Sequence, residues 1–195
     1  MVMSILHRKE QLILTAIDII NELGIQKLTT REIAKRQEIS EATLFRHFKN
    51  KNDLLLAVLD YFIQFDADIL QTAKLNYPSP KEALVFFLTS IAEYYENYPA
   101  ITTLLQTFDL LIYEEELADK VKEIQRGRIS MIAGFVEEAK QAGEIQEDLD
   151  SENIALIISG YFRELCFHWK LKQYSFSLRD HMISTLKKLI GNIGK

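Results

Sequence analysis

The chain has 195 residues, enough for one large or two small domains, with 48% apolar and 26% charged residues and a net charge of −5, which is ordinary soluble globular composition. Only 7 glycines and 3 prolines punctuate it, which argues against a loop-rich β-fold and for an all-α one. A lone cysteine, Cys166, excludes an intramolecular disulfide, no apolar run approaches the roughly 20 residues of a membrane span, and no cleavage site follows a long apolar region, so a cytoplasmic protein without membrane contact is expected.

In chain order, Ile13, Ala16, Ile17 and Ile20 share one helical face, and Gly24 follows as a stop, giving a first helix of about four turns. Thr29 caps a short second helix, with Glu32 placed to complete a capping box and Ile33 and Ala34 facing inward. Ser40 caps a third helix that runs through Phe48, with Leu44 and Phe48 as its apolar side. Asn50 opens a long helix from Lys51 to about Ala73, whose buried face is Leu54, Leu55, Val58, Phe62, Phe65 and Ile69.

Residues 76–80 form a linker, and Ser79-Pro80-Lys81-Glu82 starts a helix that runs to about Asn97. Pro99 opens another. Glu114, Glu115 and Glu116 favour the start of the next through the helix dipole, and Gly143 ends it. Asp150 caps a helix with the face Ile154, Ile157, Ile158, Tyr161, Phe162, Leu165 and Trp169; Ser177 opens the last, with Met182, Ile183, Leu186 and Leu189. About nine helices are expected in all, in two domains spanning residues 1–52 and 53–195.

Charge is unevenly spread. Residues 1–52 hold 9 Lys/Arg against 6 Asp/Glu, a net of +3; residues 53–195 hold 14 against 22, a net of −8. A basic end on an acidic body is what a protein needs when only one end meets phosphates. Two short capped helices behind a longer one form a helix-turn-helix module, whose second helix enters the major groove of double-stranded DNA. Its N-terminal residues, Glu41, Ala42, Thr43 and Arg46, then reach base edges. Ala42 permits close approach, and Thr43 offers a hydroxyl to a base or phosphate and a methyl to thymine. The helix starts at Thr29/Thr30 and Asn50/Lys51 offer N–H groups to phosphates.

The stretches ILTAIDIINELG (residues 13–24), TTREIA (29–34) and SEATLFRHFKNKNDL (40–54) resemble the TetR family of bacterial regulators. The resemblance implies that Thr30 and Arg31 touch phosphate, that Thr43 sits in the groove, that Phe45 fills a position usually held by tyrosine, and that His47 and Lys51 grip the backbone. Phe48 reads as core; Phe45 reads equally as core or as contact. Three departures weaken binding. Phe45 lacks the tyrosine hydroxyl, Gln37 and Glu38 replace the usual Ala and Gly, and Glu38 and Glu41 bring negative charge near DNA. A non-glycine residue at a left-handed turn costs about 1 kcal/mol.

For the second domain the resemblance implies an effector pocket and a homodimer interface on the last two helices. Phe62, Phe65, Phe86, Phe108, Phe135, Phe162 and Trp169 are the aromatic candidates to line a pocket for a small apolar ligand, though periodicity alone places such residues in the core. Arg126, Arg128, Arg163, Glu164 and His168 are polar candidates beside them. Gly160, on an otherwise bulky face, allows another helix to approach, either a partner's or one of its own subunit. The expected interface comprises Ile157, Gly160, Tyr161, Glu164, His168, Met182, Leu186 and Leu189. The long helix from Lys51 is then the natural lever between DNA and pocket.

Nothing in the sequence signals an enzyme. There is no Gly-rich phosphate loop, no Cys/His cluster with metal spacing, and no cofactor motif, and Cys166 and His168 point to different faces of one helix. The expected function is a dimeric DNA-binding transcriptional regulator, a repressor whose operator affinity a ligand lowers. The alternative is a helical protein-interaction module without specific DNA binding.

Overall fold

The protein is described by a computed structural model covering residues 2–193, with side-chain surroundings for residues 7–189. All nine expected helical segments are present, but the fourth is interrupted, so ten α-helices occur among the described residues. They are α1 (Val2–Leu23), α2 (Thr30–Arg36), α3 (Glu41–Phe45), α4 (Lys51–Ile63), α5 (Asp66–Asn76), α6 (Pro80–Asn97), α7 (Thr102–Leu111), α8 (Glu115–Gln141), α9 (Ser151–Leu171) and α10 (Leu178–Ile193). Short 3-10 turns at Ile25–Lys27 and Pro99–Ile101 precede α2 and α7, and no strand occurs among the described residues.

Side-chain caps set most of the helix starts. Asn50, Ser79, Asp150 and Ser177 accept hydrogen bonds from the backbone N–H groups of Asp53, Glu82, Asn153 and Asp180, at 2.8, 3.2, 2.7 and 3.1 Å. Each cap satisfies an N–H that has no partner within its own helix, and each contributes about 1 kcal/mol. Gly24 and Gly143, with φ of 84° and 72°, end α1 and α8 in the left-handed conformation that glycine adopts without strain.

The chain divides into two compact units, Met1–Gln64 with Thr103–Lys122, and Phe65–Thr102 with Glu123–Lys195. In the first, Leu12, Ile13, Ala16, Ile17 and Ile20 of α1 are buried together with Ile33, Leu44, Phe48, Leu54, Val58 and Phe62. Helix α7 completes this core: the ring of Phe108 meets Phe62 edge-on at 5.6 Å, and the Thr103 hydroxyl donates to the Asn21 side-chain amide oxygen at 2.7 Å.

In the second unit, α6 packs against α5 and α10. Its core includes Phe87, Ile91 and Tyr95 of α6, Ile132, Phe135 and Val136 of α8, Phe162, Cys166 and Trp169 of α9, and Met182 and Leu186 of α10. Tyr95 stacks on Phe162 at 5.4 Å, and the Trp169 indole N–H donates to the Phe176 carbonyl at 2.7 Å, so this large ring is buried with its polar atom satisfied.

The expected continuous helix from Lys51 to about Ala73 breaks at Gln64 and Phe65. The Gln64 N–H bonds the Tyr61 carbonyl three residues back, and Phe65 starts α5 without a side-chain cap. The break accompanies the burial of Asp66, whose carboxylate takes two hydrogen bonds from Arg128. In consequence Phe65 is exposed and Ile69 half-buried, where a single amphipathic helix would have buried both.

Candidate nucleic-acid interface and effector groove

The turn between α2 and α3 is built from backbone bonds. The Ile39 N–H reaches the Ala34 carbonyl at 3.0 Å and the Glu38 N–H reaches Lys35 at 3.3 Å, the two closures of a Schellman motif. Glu38 occupies the left-handed position of that motif, with φ of 51°, as the departure from glycine implied. Gln37, the other departure, is held on α1: its amide N–H donates to the Thr15 hydroxyl at 2.7 Å, and its oxygen accepts from Arg8 at 3.3 Å. Ser40 then caps α3 by accepting from the Thr43 N–H at 3.2 Å.

Thr29 caps α2, accepting from the Glu32 N–H at 3.1 Å, but the capping box is only half made. The Glu32 carboxylate turns instead to Arg36, which also pairs with Glu22 at 2.8 Å. Arg36 is thereby neutralised, and the positive charge facing solvent comes from Arg31, Lys35, Arg46, Lys49 and Lys51, all exposed.

Thr30, expected at a phosphate, donates its hydroxyl proton to the Glu41 carboxylate at 2.6 Å. This bond joins the first residue of α2 to the first residue of α3. On the outer side of α3, the Thr43 hydroxyl accepts from Arg46 at 3.2 Å and shares a proton with Ser40 at 3.0 Å, so Ser40, Thr43 and Arg46 form one polar row beside exposed Ala42. Phe45 is 49% exposed and therefore not core; Phe48 is buried, with the Lys9 ammonium 5.3 Å from its ring centre. His47 is half-buried.

The aromatic residues expected at a ligand pocket separate into three groups. Phe65 and Phe86 line an open groove of about 340 Å³ with Asp68, Ile69, Thr72 and Tyr94, all from α5, α6 and the turn before α5. Phe65 meets Tyr94 edge-on at 5.0 Å, and Tyr77 stacks on Phe86 at 4.7 Å. Phe135, Phe162 and Trp169 are consumed by the core of the same unit. Phe62 and Phe108 belong to the other unit, where their rings pack edge-on against each other.

Among the polar candidates, Arg128 is the one drawn into the interior. It donates to both oxygens of Asp66, at 2.7 and 3.1 Å, and to the Tyr95 hydroxyl at 2.7 Å. Burial works against its charge, but Tyr95 and Asp66 outweigh burial and raise the guanidinium above its ordinary value, so it stays protonated. Burial likewise pushes the Tyr95 phenol and the Cys166 thiol far up, despite Arg128 acting the other way; both remain neutral, and Cys166 is an inert small core residue. Arg126, Glu164 and His168 are exposed.

Of the residues expected at a dimer interface, Ile157, Gly160, Glu164 and His168 lie on the outer side of α9, joined there by exposed Leu156, Phe167 and Leu171. A Cβ built on Gly160 would meet nothing within 4 Å, so this glycine serves no close packing within the subunit. Tyr161 is half-buried and bonded to Thr185 at 2.8 Å, and Leu189 is half-buried. Met182 and Leu186 do not belong to such a surface, because the subunit's own core covers both.

Residues 12–58 match the family described as bacterial regulatory proteins, tetR family, and residues 71–192 match the C-terminal region of YsiA-like protein. The chain belongs to the TetR family. TetR-family proteins are DNA-binding transcriptional regulators, and the helix-turn-helix of α2 and α3 lies within the matched residues 12–58. The fatty acid metabolism regulator protein of Bacillus subtilis is 28% identical over 191 residues, covering 94% of each chain. Among solved structures, the transcriptional regulator FadR of Bacillus subtilis in complex with stearoyl-CoA superposes with a TM-score of 0.79 at 26% identity, over 93% of this chain and 97% of that one. The fatty acid degradation regulator FadR of Bacillus halodurans gives a TM-score of 0.81 at 20% identity, over 93% of both chains, a likeness of fold.

Sequence reasoning missed Asp66 and Tyr95 as partners of Arg128, and Asp68, Ile69, Thr72 and Tyr94 as groove residues. A signal for the first was present. Asp66 stands four residues after Phe62, and Arg128 four residues after Ile124 and four before Ile132, each a charge at an apolar-stripe position. Two such misplaced charges of opposite sign are expected to find each other.

Proposed function

We propose that this protein is a homodimeric repressor whose affinity for operator DNA falls when a long-chain acyl-CoA thioester binds its second unit. The observation that carries the reading is the full-length similarity to a fatty acid metabolism regulator, 28% identical over 94% of both chains. The stearoyl-CoA bound by the Bacillus subtilis relative names the ligand class. The groove of Phe65, Ile69, Phe86 and Tyr94 supports an apolar acyl chain, with Asp68 and Thr72 as the polar residues at its wall. The exposed apolar row Leu156, Ile157, Phe167 and Leu171, with open space at Gly160, supports pairing of α9 with its symmetry mate. A two-fold dimer presents two copies of α3 to successive major grooves, about 34–36 Å apart.

Linkage fixes what the ligand does. An acyl-CoA lowers operator affinity by the ratio of its own affinities for the free and DNA-bound states, and DNA lowers acyl-CoA affinity by the same factor. The test is fluorescence anisotropy with DNA from upstream of the protein's own gene, titrated with stearoyl-CoA, lauroyl-CoA, free CoA and stearate. Thioesters are expected to weaken binding at least about fivefold, within the usual range of such couplings, and free CoA to have no effect. DNA binding that no acyl-CoA changes would overturn the assigned effector.

A further inference from the structure

The interface places a carboxylate at the leading end of the DNA-reading helix, where phosphate repulsion should select against it. Glu41 is exposed, is the first residue of α3, and is held by the Thr30 hydroxyl at 2.6 Å. That bond engages one of the two carboxylate oxygens. The neighbouring row is differently equipped: Thr43 and Arg46 are bonded to each other and supply a hydroxyl and a cation. A carboxylate only accepts hydrogen bonds. In the major groove, the edges of guanine and the O4 of thymine are acceptors and repel it, whereas cytosine presents its N4 amine as a donor. Adenine offers an amine flanked by the acceptor N7, which a carboxylate cannot satisfy but an amide can.

We propose that Glu41 is a specificity-determining residue that reads a cytosine in each half-site through its N4 amine, and that Thr30 is a positioning residue that aims the carboxylate. This rests on the operator-binding reading above and adds the base. In the free protein the Thr30 hydroxyl proton is donated to this carboxylate. The carboxylate's repulsion from phosphate lowers affinity for all DNA, while the amine contact restores it only where cytosine stands, which widens the gap between specific and non-specific sites.

The experiment is selection from a random double-stranded DNA pool with the full chain, comparing wild type with Glu41→Ala, Glu41→Gln, Thr30→Val and Thr30→Ser. Wild type is expected to select an inverted repeat with a cytosine column in each half. Glu41→Ala should flatten that column by about tenfold in base preference while keeping the others. Glu41→Gln should move the column to adenine, because a side-chain amide pairs with N6 and N7. Thr30→Val should broaden the same column, and Thr30→Ser, which keeps the hydroxyl, should restore it. If wild type selects a motif and Glu41→Ala or Glu41→Gln retains every column, the assignment to Glu41 is wrong while operator binding stands. If wild type selects no motif, operator binding fails and this assignment fails with it.

Discussion

Asp66→Ala removes the carboxylate that takes two hydrogen bonds from Arg128, at 2.7 and 3.1 Å, in a site where the two side chains are only 8% and 13% exposed. The guanidinium is left charged, because deprotonating arginine is not accessible, and the Tyr95 hydroxyl it still bonds is neutral. Breaking a buried pair from one side costs about 3–5 kcal/mol. For a chain of this size about 1 kcal/mol corresponds to roughly 2–4 °C in Tm, so the variant should melt roughly 6–20 °C lower. Tyr95→Phe removes one bond to a charged donor and should cost about 1.5–3 kcal/mol. The double replacement Asp66→Leu with Arg128→Met removes both charges and should recover most of the loss, since matched apolar residues often equal a buried ion pair. Urea and thermal unfolding followed by circular dichroism give these differences. A loss below about 1 kcal/mol for Asp66→Ala, or a double variant as unstable as the two single losses together, would refute the view that an uncompensated buried charge sets the penalty.

Burial, and then repulsion from Glu22, holds the Asp18 carboxyl above its ordinary value, with Arg36 acting against both. The folded state therefore binds this proton more tightly than the unfolded chain, and stability declines as pH rises from the ordinary carboxylate range through the raised value. Asp18→Asn should raise Tm at about pH 7 and lose that gain near about pH 4; an equal shift at both would contradict the sign. Glu38→Gly relieves a side chain held at φ of 51° and should stabilise the first unit by up to about 1 kcal/mol, read from the urea midpoint at unchanged slope. Ile157→Asp places a charge in the apolar row of α9 and should turn a dimer into a monomer in sedimentation velocity, weakening operator binding without altering helix content. A dimer that survives this change would move the interface off α9.

The fold was legible because six of the ten described helices start at a side-chain cap. Asn50, Ser79, Asp150 and Ser177 each mark a boundary by a side-chain oxygen that the structure finds bonded. The helix-turn-helix was legible for the same reason, since Thr29 and Ser40 fix where α2 and α3 begin. What periodicity alone does not carry is which apolar residue faces a cavity. Phe62, Phe65 and Phe135 obey one 3.6-residue rule, yet one lies in each unit's core and one lines a groove, because that choice is made by the partner helix. The interruption at Gln64 was hidden for a related cause: neither glycine nor proline marks it, and an ion pair with a residue 62 positions away accompanies it. Hydrogen bonds between different helices, such as Thr30 to Glu41, also lie beyond single-helix patterns.

The path of the chain between its two compact units has a practical corollary for anyone dissecting the protein. The first unit takes Thr103–Lys122 from the middle of the sequence, and these residues supply Phe108 against Phe62, Thr103 to Asn21 and Lys120 to Asp60 at 2.8 Å. A fragment ending at Gln64 would keep the helix-turn-helix yet lack α7 and uncover the face of Phe62 it protects. Swapping reader heads between such regulators by a single splice therefore transplants a recognition surface without the helix that shores it up; a working chimaera has to carry both segments across.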